Sequence, residues 1–278
     1  MLVNTIELLR EAKRSKCAIP AINVFNLAGI KGAIAAAEAS NCPLIVSLAE
    51  VHIEAMEIEE IAYIFRYYAE RVPQKIALHF DHGLTPAYIK RAIDAGFTSV
   101  MIDGSSLGYE ENVKVCREIV AYAHMKNVSV EGEIGHVGEG ESYLDPEKDD
   151  SQLTTVEDAV SFALETGLDS LAVSIGTAHG AYAGVPELDF NRLHNIAANV
   201  SIPLVLHGGS GSGDENLNKC VRTGIVKVNI FTDTKVAAKK RIESVGGDYY
   251  KDYFSAIEGI KSCVLHYYKV FETAKGNF

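Results

Sequence analysis

Apolar runs of strand length alternate with longer amphipathic segments along almost the whole chain. A strand buried on both faces is a short continuous apolar run, whereas a helix on a core has apolar residues three and four apart. The apolar runs occupy 18–24, 43–49, 75–81, 99–105, 128–135, 170–176, 203–209 and 225–231. Each is followed by a segment with helical character, such as 28–40 and 111–126.

Eight strands, each followed by a helix, within 278 residues predict a TIM (β/α)8 barrel of the α/β class. A leading N-terminal helix precedes the first strand, and a C-terminal helical extension follows the last. A doubly wound open sheet is the main alternative, but it usually has fewer strands and an early glycine-rich turn, which is missing here. No linker or low-complexity tract interrupts the pattern, so we expect one domain over residues 1–278.

Capping residues mark several helix ends. Asn4, with Glu7 three positions later, predicts the start of the leading helix, and Thr154 with Glu157 predicts another start. Gly167 stands where this second helix should end. The acidic, turn-rich segment 136–153 is longer than most loops of compact barrels, which indicates a functional or mobile loop.

The charge balance narrows the class of partner. The 37 acidic and 26 basic residues leave a formal net charge of -11, which argues against a nucleic-acid or anionic-membrane surface. The first residues lack the apolar core of a signal peptide, and no apolar stretch approaches the length of a membrane span. The five cysteines are scattered and odd in number, as expected for reduced thiols in a cytoplasmic protein.

Polar residues gather where the predicted strands end. In TIM barrels the active site is built at the C-terminal ends of the strands. The residues at these ends include Asn23, Asp81, His82, Asp103, Glu131, Glu133, His136, His179, His207, Asn229 and Thr232. Because polar residues otherwise avoid these runs, this rim is the predicted site.

Five of the nine histidines fall at this rim: His52, His82, His136, His179 and His207. Neutral imidazole is a common zinc ligand, and three such ligands leave one position open for a substrate oxygen. Cobalt or iron would also bind such a set. The histidines therefore predict a metal site, although spacing alone leaves open which three of them bind.

Two segments at the rim fit a phosphate group. The glycine-rich segment 207–213 follows the seventh strand, and 229–232 follows the eighth. Backbone amides in a glycine-rich turn that leads into a helix favour an anion, and TIM barrels often bind phosphate at these two loops.

Together these motifs resemble the class II, metal-dependent ketose-bisphosphate aldolases, which include fructose- and tagatose-bisphosphate enzymes. The likeness covers nearly the whole chain and rests on seven segments in order: 21–26 (AINVFN), 78–83 (LHFDHG), 98–106 (TSVMIDGSS), 128–138 (VSVEGEIGHVG), 174–182 (SIGTAHGAY), 203–211 (PLVLHGGSG) and 227–232 (KVNIFT). It implies a glycolytic type of lyase that reversibly cleaves a ketose (bis)phosphate. Fructose 1,6-bisphosphate is the first expectation, with dihydroxyacetone phosphate and glyceraldehyde 3-phosphate as products.

The resemblance also implies roles for individual residues. His82, His179 and His207 would hold the catalytic Zn²⁺, and Asp103 and Glu133 match positions linked to a second divalent metal or a monovalent cation. The positions that match substrate contacts are Asn23, Gly180, Gly208, Gly209, Ser210, Asn229, Ile230, Phe231 and Thr232.

Two acidic residues match the proton carriers of the family. Asp81 corresponds to the catalytic acid and base, and can take the proton of the C4 hydroxyl. Glu141, in the long acidic loop, would move the proton at the enediolate carbon, and Glu139 is close enough to be an alternative. His79, inside the third strand, is expected to be a structural support.

Three departures from the family concern the far end of the substrate. Ala49 stands where the family often has serine, and Ala183 stands where many members have lysine. Many members use a C-terminal arginine for the distal phosphate, but no arginine follows Arg241. Lys251 or Lys261 could substitute only as a point charge. The substrate could therefore be fructose 1,6-bisphosphate, tagatose 1,6-bisphosphate or a ketose phosphate with an unphosphorylated tail.

Other functions are weighed against this one. A Schiff-base aldolase needs a desolvated lysine at the barrel mouth, for which Lys227 is the candidate. A barrel kept for binding or regulation and a metal-dependent hydrolase are further alternatives. The expected partner is a small sugar phosphate, with no nucleic acid and no membrane, and we expect a homo-oligomer, either a dimer or a tetramer.

Overall fold

The computed structural model describes residues 1–135, 137–139, 153–180, 182 and 184–278, and a closed parallel barrel forms its centre. The strands in the described residues are β1 Ile19–Asn23, β2 Leu44–Ala49, β3 Ile76–Gly83, β4 Ser99–Ile102, β5 Ser129–Ile134, β6 Gly138–Glu139, β7 Ser170–Val173, β8 Ala178–His179, β9 Leu204–Leu206 and β10 Ile225–Ile230. The barrel order is β1-β10-β9-β7-β5-β4-β3-β2, and β6 pairs with β8 in a separate two-stranded sheet. All eight predicted runs are barrel strands, so the predicted TIM barrel is confirmed.

Helices surround the barrel and alternate with its strands. They are α1 Thr5–Ser15, α2 Leu27–Ser40, α3 Ile58–Ala69, α4 Pro86–Ala95, α5 Tyr109–His124, α6 Val156–Thr166, α7 Phe190–Asn199, α8 Asp214–Thr223, α9 Thr232–Val245 and α10 Tyr249–Val270. The leading helix and the C-terminal helical extension were both predicted. Within the described chain, no helix is long and apolar enough to cross a membrane.

The leading helix α1 closes one end of the barrel. Its buried residues Leu8, Leu9 and Ala12 belong to a small apolar cluster with residues near the starts of the barrel strands, among them Ile19 and Ala77. The hydroxyl of Thr5 adds hydrogen bonds to Ser99 Oγ at 2.9 Å and to Ser129 Oγ at 2.5 Å. Because this N-terminal end is filled, the opposite end is the one available for a site.

The predicted helix caps are correct with one exception. Asn4 caps α1 by accepting from Ile6 N, and Gly167 ends α6 at a φ of 70°. The predicted capping pair Thr154 and Glu157 is wrong by one residue, because Thr155 is the cap and accepts from Asp158 N. The hydroxyl of Thr154 has another use: it donates to Ile134 O at 2.6 Å and accepts from Ser174 N at 2.8 Å.

Candidate metal centre and active site

The open, C-terminal end of the barrel contains a cavity of about 590 Å³. Its described lining includes most of the predicted site residues: Asn23, Asp81, His82, Asp103, Glu133, His179, Gly180, Gly208, Gly209, Ser210, Asn229, Phe231 and Thr232. Ile230 and His207 do not line the cavity: the side chain of Ile230 is buried in the core, and that of His207 is fully buried. Glu141 and His136 lie outside the described residues, and of Glu139 only the backbone, in β6, is described. The side chains therefore converge as predicted, although their roles stay predictions.

Three imidazoles face one another here: His82 and His179 line the cavity, and the ring of His207 is buried against that of His82. His82 Nε2 lies 2.9 Å from His207 Nδ1, and a ligating nitrogen of each of the three rings lies within 4.8 Å of the others. His179 Nε2 is buried and has no hydrogen-bond partner in the described part of the chain. Burial, reinforced by the neighbouring imidazoles, lowers the pKa of His179 to about 3, so this ring is neutral, as a metal ligand must be. Three converging nitrogens with one orphaned atom fit a Zn²⁺ ion.

The backbone at His82 is unusual and helps to orient its ring. His82 has a φ of 44°, in the left-handed region that non-glycine residues avoid, and its Nδ1 lies 2.8 Å from Asp103 Oδ2. Such conformations persist where the surroundings hold them, often at functional sites. The Asp103 contact leaves Nε2 of His82 to face the other two histidines.

A second group of ligating atoms shares His82. Oxygens of Asp103 and Glu133 lie within 4.8 Å of a nitrogen of His82. Glu133 Oε1 accepts from Val137 N at 3.3 Å, whereas Oε2 is buried without a partner among the described residues. Burial first, and then the carboxylate of Asp103, raise the pKa of Glu133 to about 8. Two crowded carboxyl groups and an unpaired oxygen could accommodate the predicted second cation.

Asp81 is held by two amide side chains. Asn23 Nδ2 donates to Asp81 Oδ2 at 2.6 Å, and Asn229 Nδ2 donates to Oδ1 at 2.9 Å. Burial raises the pKa of Asp81, but the charge of His82 and the hydrogen bond with His79 outweigh it and hold this pKa well below its usual range. Asp81 is thus an ionised, oriented carboxylate beside the histidines. The predicted substrate residues Asn23 and Asn229 contact Asp81 as well as the cavity.

Two residues support His207 in a role that the sequence did not predict: Glu131, which was placed at the rim without a role, and Lys227, which was considered only as a Schiff-base lysine. Glu131 Oε1 lies 2.9 Å from His207 Nε2, and Lys227 Nζ donates to the two Glu131 oxygens at 2.9 and 2.8 Å. All three side chains are buried. Burial raises the pKa of Glu131, but the charge of Lys227 and the hydrogen bond with His207 lower it by more. The net pKa lies below its usual range, so Glu131 stays ionised. A carboxylate behind a ligating histidine sets its ring orientation and its basicity.

The same contacts bear on the Schiff-base alternative. Lys227 is fully buried, is paired with Glu131 and is not among the residues that line the cavity. Its ammonium has no access to a substrate carbonyl, which argues against a Schiff-base aldolase. Lys251 and Lys261 lie on α10 and do not line the described cavity either.

We expect Glu131→Gln to weaken the binding of Zn²⁺ by about 10- to 100-fold, because the ring of His207 loses its anionic partner. The variant also leaves Lys227 buried without a counter-charge, which should destabilise the protein by about 3–5 kcal/mol. Competitive metal titration and denaturant unfolding measure the two effects. In the double variant Glu131→Gln, Lys227→Met, stability should partly recover while the affinity stays low. Unchanged affinity in both variants would contradict the role of Glu131.

The glycine-rich loop after β9 is built around close contacts. A Cβ at Gly208, which has a φ of 67°, would lie 2.4 Å from Ala178 O, and one at Gly209 would lie 2.5 Å from Val228 Cγ1. Ser210 Oγ accepts from Phe231 N at 3.1 Å and from Asp233 N at 3.2 Å, so it joins the loop after β9 to the first turn of α9. Thr232, the first residue of α9, lines the cavity, so the cavity faces a helix start, and helix starts favour anions.

The barrel, the three converging imidazoles and the adjoining helix start define a TIM-barrel enzyme with a candidate divalent-metal site. The family described as class-II fructose-bisphosphate aldolase matches residues 3–276. The chain therefore belongs to this family, whose members are metal-dependent lyases.

Individual relatives agree with this assignment. The chain is 39% identical over 233 residues to a 6-phospho-5-dehydro-2-deoxy-D-gluconate aldolase of Shouchella clausii (strain KSM-K16), covering 83% of this chain and 78% of the relative. It resembles the crystal structure of the YdjI aldolase from Escherichia coli K12 with a TM-score of 0.89 and 30% identity, covering 98% of both chains. The fructose-bisphosphate aldolase of Campylobacter jejuni has a TM-score of 0.85 over 99% of this chain and 97% of its own, and its 24% identity supports the fold alone.

Proposed function

We propose that this protein is a Zn²⁺-dependent aldolase that reversibly cleaves a ketose phosphate to dihydroxyacetone phosphate and an aldehyde. The observation that carries the proposal is the ionised carboxylate of Asp81 beside three converging imidazoles, two of which line the cavity. His82, His179 and His207 would hold the metal. The chemistry that Zn²⁺ supplies there is Lewis acidity, which polarises the C2 carbonyl and favours the enediolate.

Asp81 would start the cleavage by taking the proton of the C4 hydroxyl. As this proton leaves, the C4–O bond becomes a carbonyl, the C3–C4 bond breaks and its electron pair remains on C3 as the enediolate. The amides of Asn23 and Asn229 keep both oxygens of Asp81 oriented, which favours a general base because the geometry is prepared in advance. Asn229 Oδ1 is buried without a partner among the described residues, and could accept from a substrate hydroxyl.

A second group must return a proton to C3 before dihydroxyacetone phosphate leaves. We assign this step to Glu141, with Glu139 as the alternative. The side chains of both fall outside the described part of the chain, so the assignment rests on the sequence. The phosphate group would bind at Gly180, at Gly208 to Ser210 and at Asn229 to Thr232, with Ile230 contributing only its backbone.

The far end of the substrate distinguishes the candidate ketose phosphates. None of the described residues that line the cavity is lysine or arginine, although a second phosphate is usually held by such side chains. The relative from Shouchella clausii is named for a phosphorylated gluconate, whose acid group carries less charge than a phosphate. We therefore place a ketose phosphate with an acidic or uncharged end beside fructose and tagatose 1,6-bisphosphate as candidates.

Removal of the metal tests the reaction class. We expect chelator to lower cleavage of the best ketose phosphate by at least about 100-fold and Zn²⁺ to restore it, because the C2 carbonyl loses its Lewis acid. Coupled detection of dihydroxyacetone phosphate over a panel of ketose mono- and bisphosphates measures the rate. Borohydride trapping of the substrate on a lysine would overturn the proposal. Zinc-loaded protein without any cleavage would instead support a binding or regulatory barrel.

A further inference from the structure

Three aromatic rings form a cluster on one side of the cavity mouth. Phe25 follows β1, His52 lies in a short 3-10 turn after β2, and Phe231 follows β10, and these are three neighbouring strands of the barrel. The ring centroids of His52 and Phe231 are 4.6 Å apart, and Phe25 meets Phe231 edge-on at 6.0 Å. His52 and Phe231 both line the cavity. This cluster belongs to the wall that follows β10, β1 and β2.

His52 offers an unused polar atom in this wall. Its Nδ1 is buried and has no hydrogen-bond partner within the described ranges, and such an orphaned atom is costly unless a ligand satisfies it. Burial, more than any neighbouring charge, lowers the pKa of His52, so the neutral ring carries one N–H group. The side chain is therefore able to hydrogen-bond a substrate.

The turn that carries His52 is anchored. Glu50 Oε2 accepts from the backbone N–H groups of Leu84 and Thr85 at 2.8 and 3.0 Å, and its Oε1 accepts from Thr85 Oγ1 at 2.6 Å. These bonds tie the turn to the loop before α4. They also occupy both oxygens of the Glu50 carboxylate. Glu50 is therefore already satisfied and does not draw a positively charged side chain away from the mouth.

Lys235 places a positive charge beside the same wall. Its Nζ lies 4.2 Å from the centroid of the Phe231 ring. Lys235 lines a groove that adjoins the cavity at Asn23 rather than the cavity itself, and it makes no ion pair with the described residues. Its charge also lowers the pKa of His52, which shows that the two groups lie close enough to interact. The nearby carboxylates are already engaged, because Asp81 binds two amides and Asp103 binds His82 and Ser105.

Another side of the mouth offers no positive charge among its described residues. Leu84, Ser105 and Ser106 line the side that follows β3 and β4, and they carry no charge. A ketose bound by its phosphate to the backbone of the loops after β9 and β10 would extend past Asp81 and the histidines. Its far end would then lie at the mouth, which the side chains of His52 and Phe231 line. Of the described sides that this end could meet, the cluster with Lys235 is the one that favours a negative charge.

We propose that His52 and Lys235, which both lie against the Phe231 ring, bind an anionic group at the far end of the substrate. This inference rests on the proposed aldolase function and concerns the part of the substrate that leaves as the aldehyde. A carboxylate and a phosphate share the relevant chemistry, because both accept from an imidazole N–H and attract a lysine charge. Neither residue would contact the carbons that react. His52 and Lys235 therefore determine which substrate binds rather than the reaction itself.

The test is condensation of dihydroxyacetone phosphate with three aldehydes: succinic semialdehyde, glyceraldehyde 3-phosphate and uncharged glyceraldehyde. The measured quantity is kcat/KM for each anionic aldehyde divided by kcat/KM for glyceraldehyde. We expect this ratio to fall about fivefold in Lys235→Met, as the loss of an exposed ion pair predicts. It should fall about tenfold in His52→Phe, which keeps the ring contact with Phe231 but loses both nitrogens. The change should appear in the KM for the aldehyde rather than in kcat.

Lys239→Met is the matched control, because Lys239 lies one turn further along α9 and lines the same groove as Lys235, whereas Lys235 is the one whose ammonium lies over the Phe231 ring. Its ratio should equal that of the wild type. In the wild type, the anionic aldehyde with the higher ratio identifies the end group as carboxylate or phosphate. Unchanged ratios in both Lys235→Met and His52→Phe, or an equal fall in Lys239→Met, would overturn the inference. A wild-type protein that carries Zn²⁺ and condenses none of the aldehydes would refute the aldolase proposal instead.

Discussion

Asp81→Asn is expected to lower kcat by about 10²–10⁴-fold while the protein keeps its Zn²⁺. The substitution preserves the shape of the side chain and removes the negative charge that would accept the C4 proton. Asp81 does not belong to the three-histidine group, so the ligating nitrogens remain in place. Metal content by elemental analysis and single-turnover cleavage measure the two properties on the same preparation.

The controls for Asp81→Asn separate charge from packing. Asp81→Ala also removes the acceptor that Asn23 and Asn229 share, and should lose turnover together with some stability. Asp214→Asn changes an exposed aspartate on α8 that pairs with His266, and should behave as the wild type. If Asp81→Asn kept wild-type turnover, the proton acceptor would have to be another residue.

His207→Ala is expected to abolish binding of Zn²⁺ under conditions in which the wild type is saturated, and activity with it. Two imidazoles would remain of the three that converge, and the loss of a direct ligand should exceed the roughly 10- to 100-fold loss expected for a supporting residue. Glu131 and Lys227 stay paired with each other in this variant, so the fold should survive. Zinc stoichiometry, circular dichroism and kcat/KM should be measured together.

A distant histidine serves as the control for His207→Ala. His124 is an exposed residue on α5 that pairs with Asp169 at 2.8 Å, away from the cavity. His124→Ala should therefore retain both the metal and the activity. Full zinc occupancy in His207→Ala would show that His207 is not a metal ligand. The third ligand would then have to be one of the other strand-end histidines, His52 or His136.

The metal ligands show what the pattern of polar residues can predict and what it cannot. Polarity at the strand ends selected five histidines, and the resemblance selected His82, His179 and His207 among them. The structure brings these three together, and places His52 in the aromatic wall with Phe231. A rule based on strand ends could not separate the two groups, because all of these histidines lie at the same face of the barrel.

The support behind His207 was missed for a different reason. Glu131 and Glu133 are two residues apart in one strand, so alternation shows that they share a face. It does not show that Glu131 meets a lysine from another strand. Glu131 and Lys227 are 96 positions apart in sequence, and β7 and β9 lie between their strands in the barrel order. The contact crosses the interior and exists only when the barrel is closed.

The sequence by itself determined the fold, the strand positions and the end of the barrel that carries the polar residues. These properties depend on the period and polarity of short segments, which are local. Tertiary structure alone decided which supporting side chains touch: Asp81 with Asn23 and Asn229, and Lys227 with Glu131 and, through it, His207. Barrel closure makes these contacts between strands far apart in the chain, and burial then makes each of them electrostatically strong.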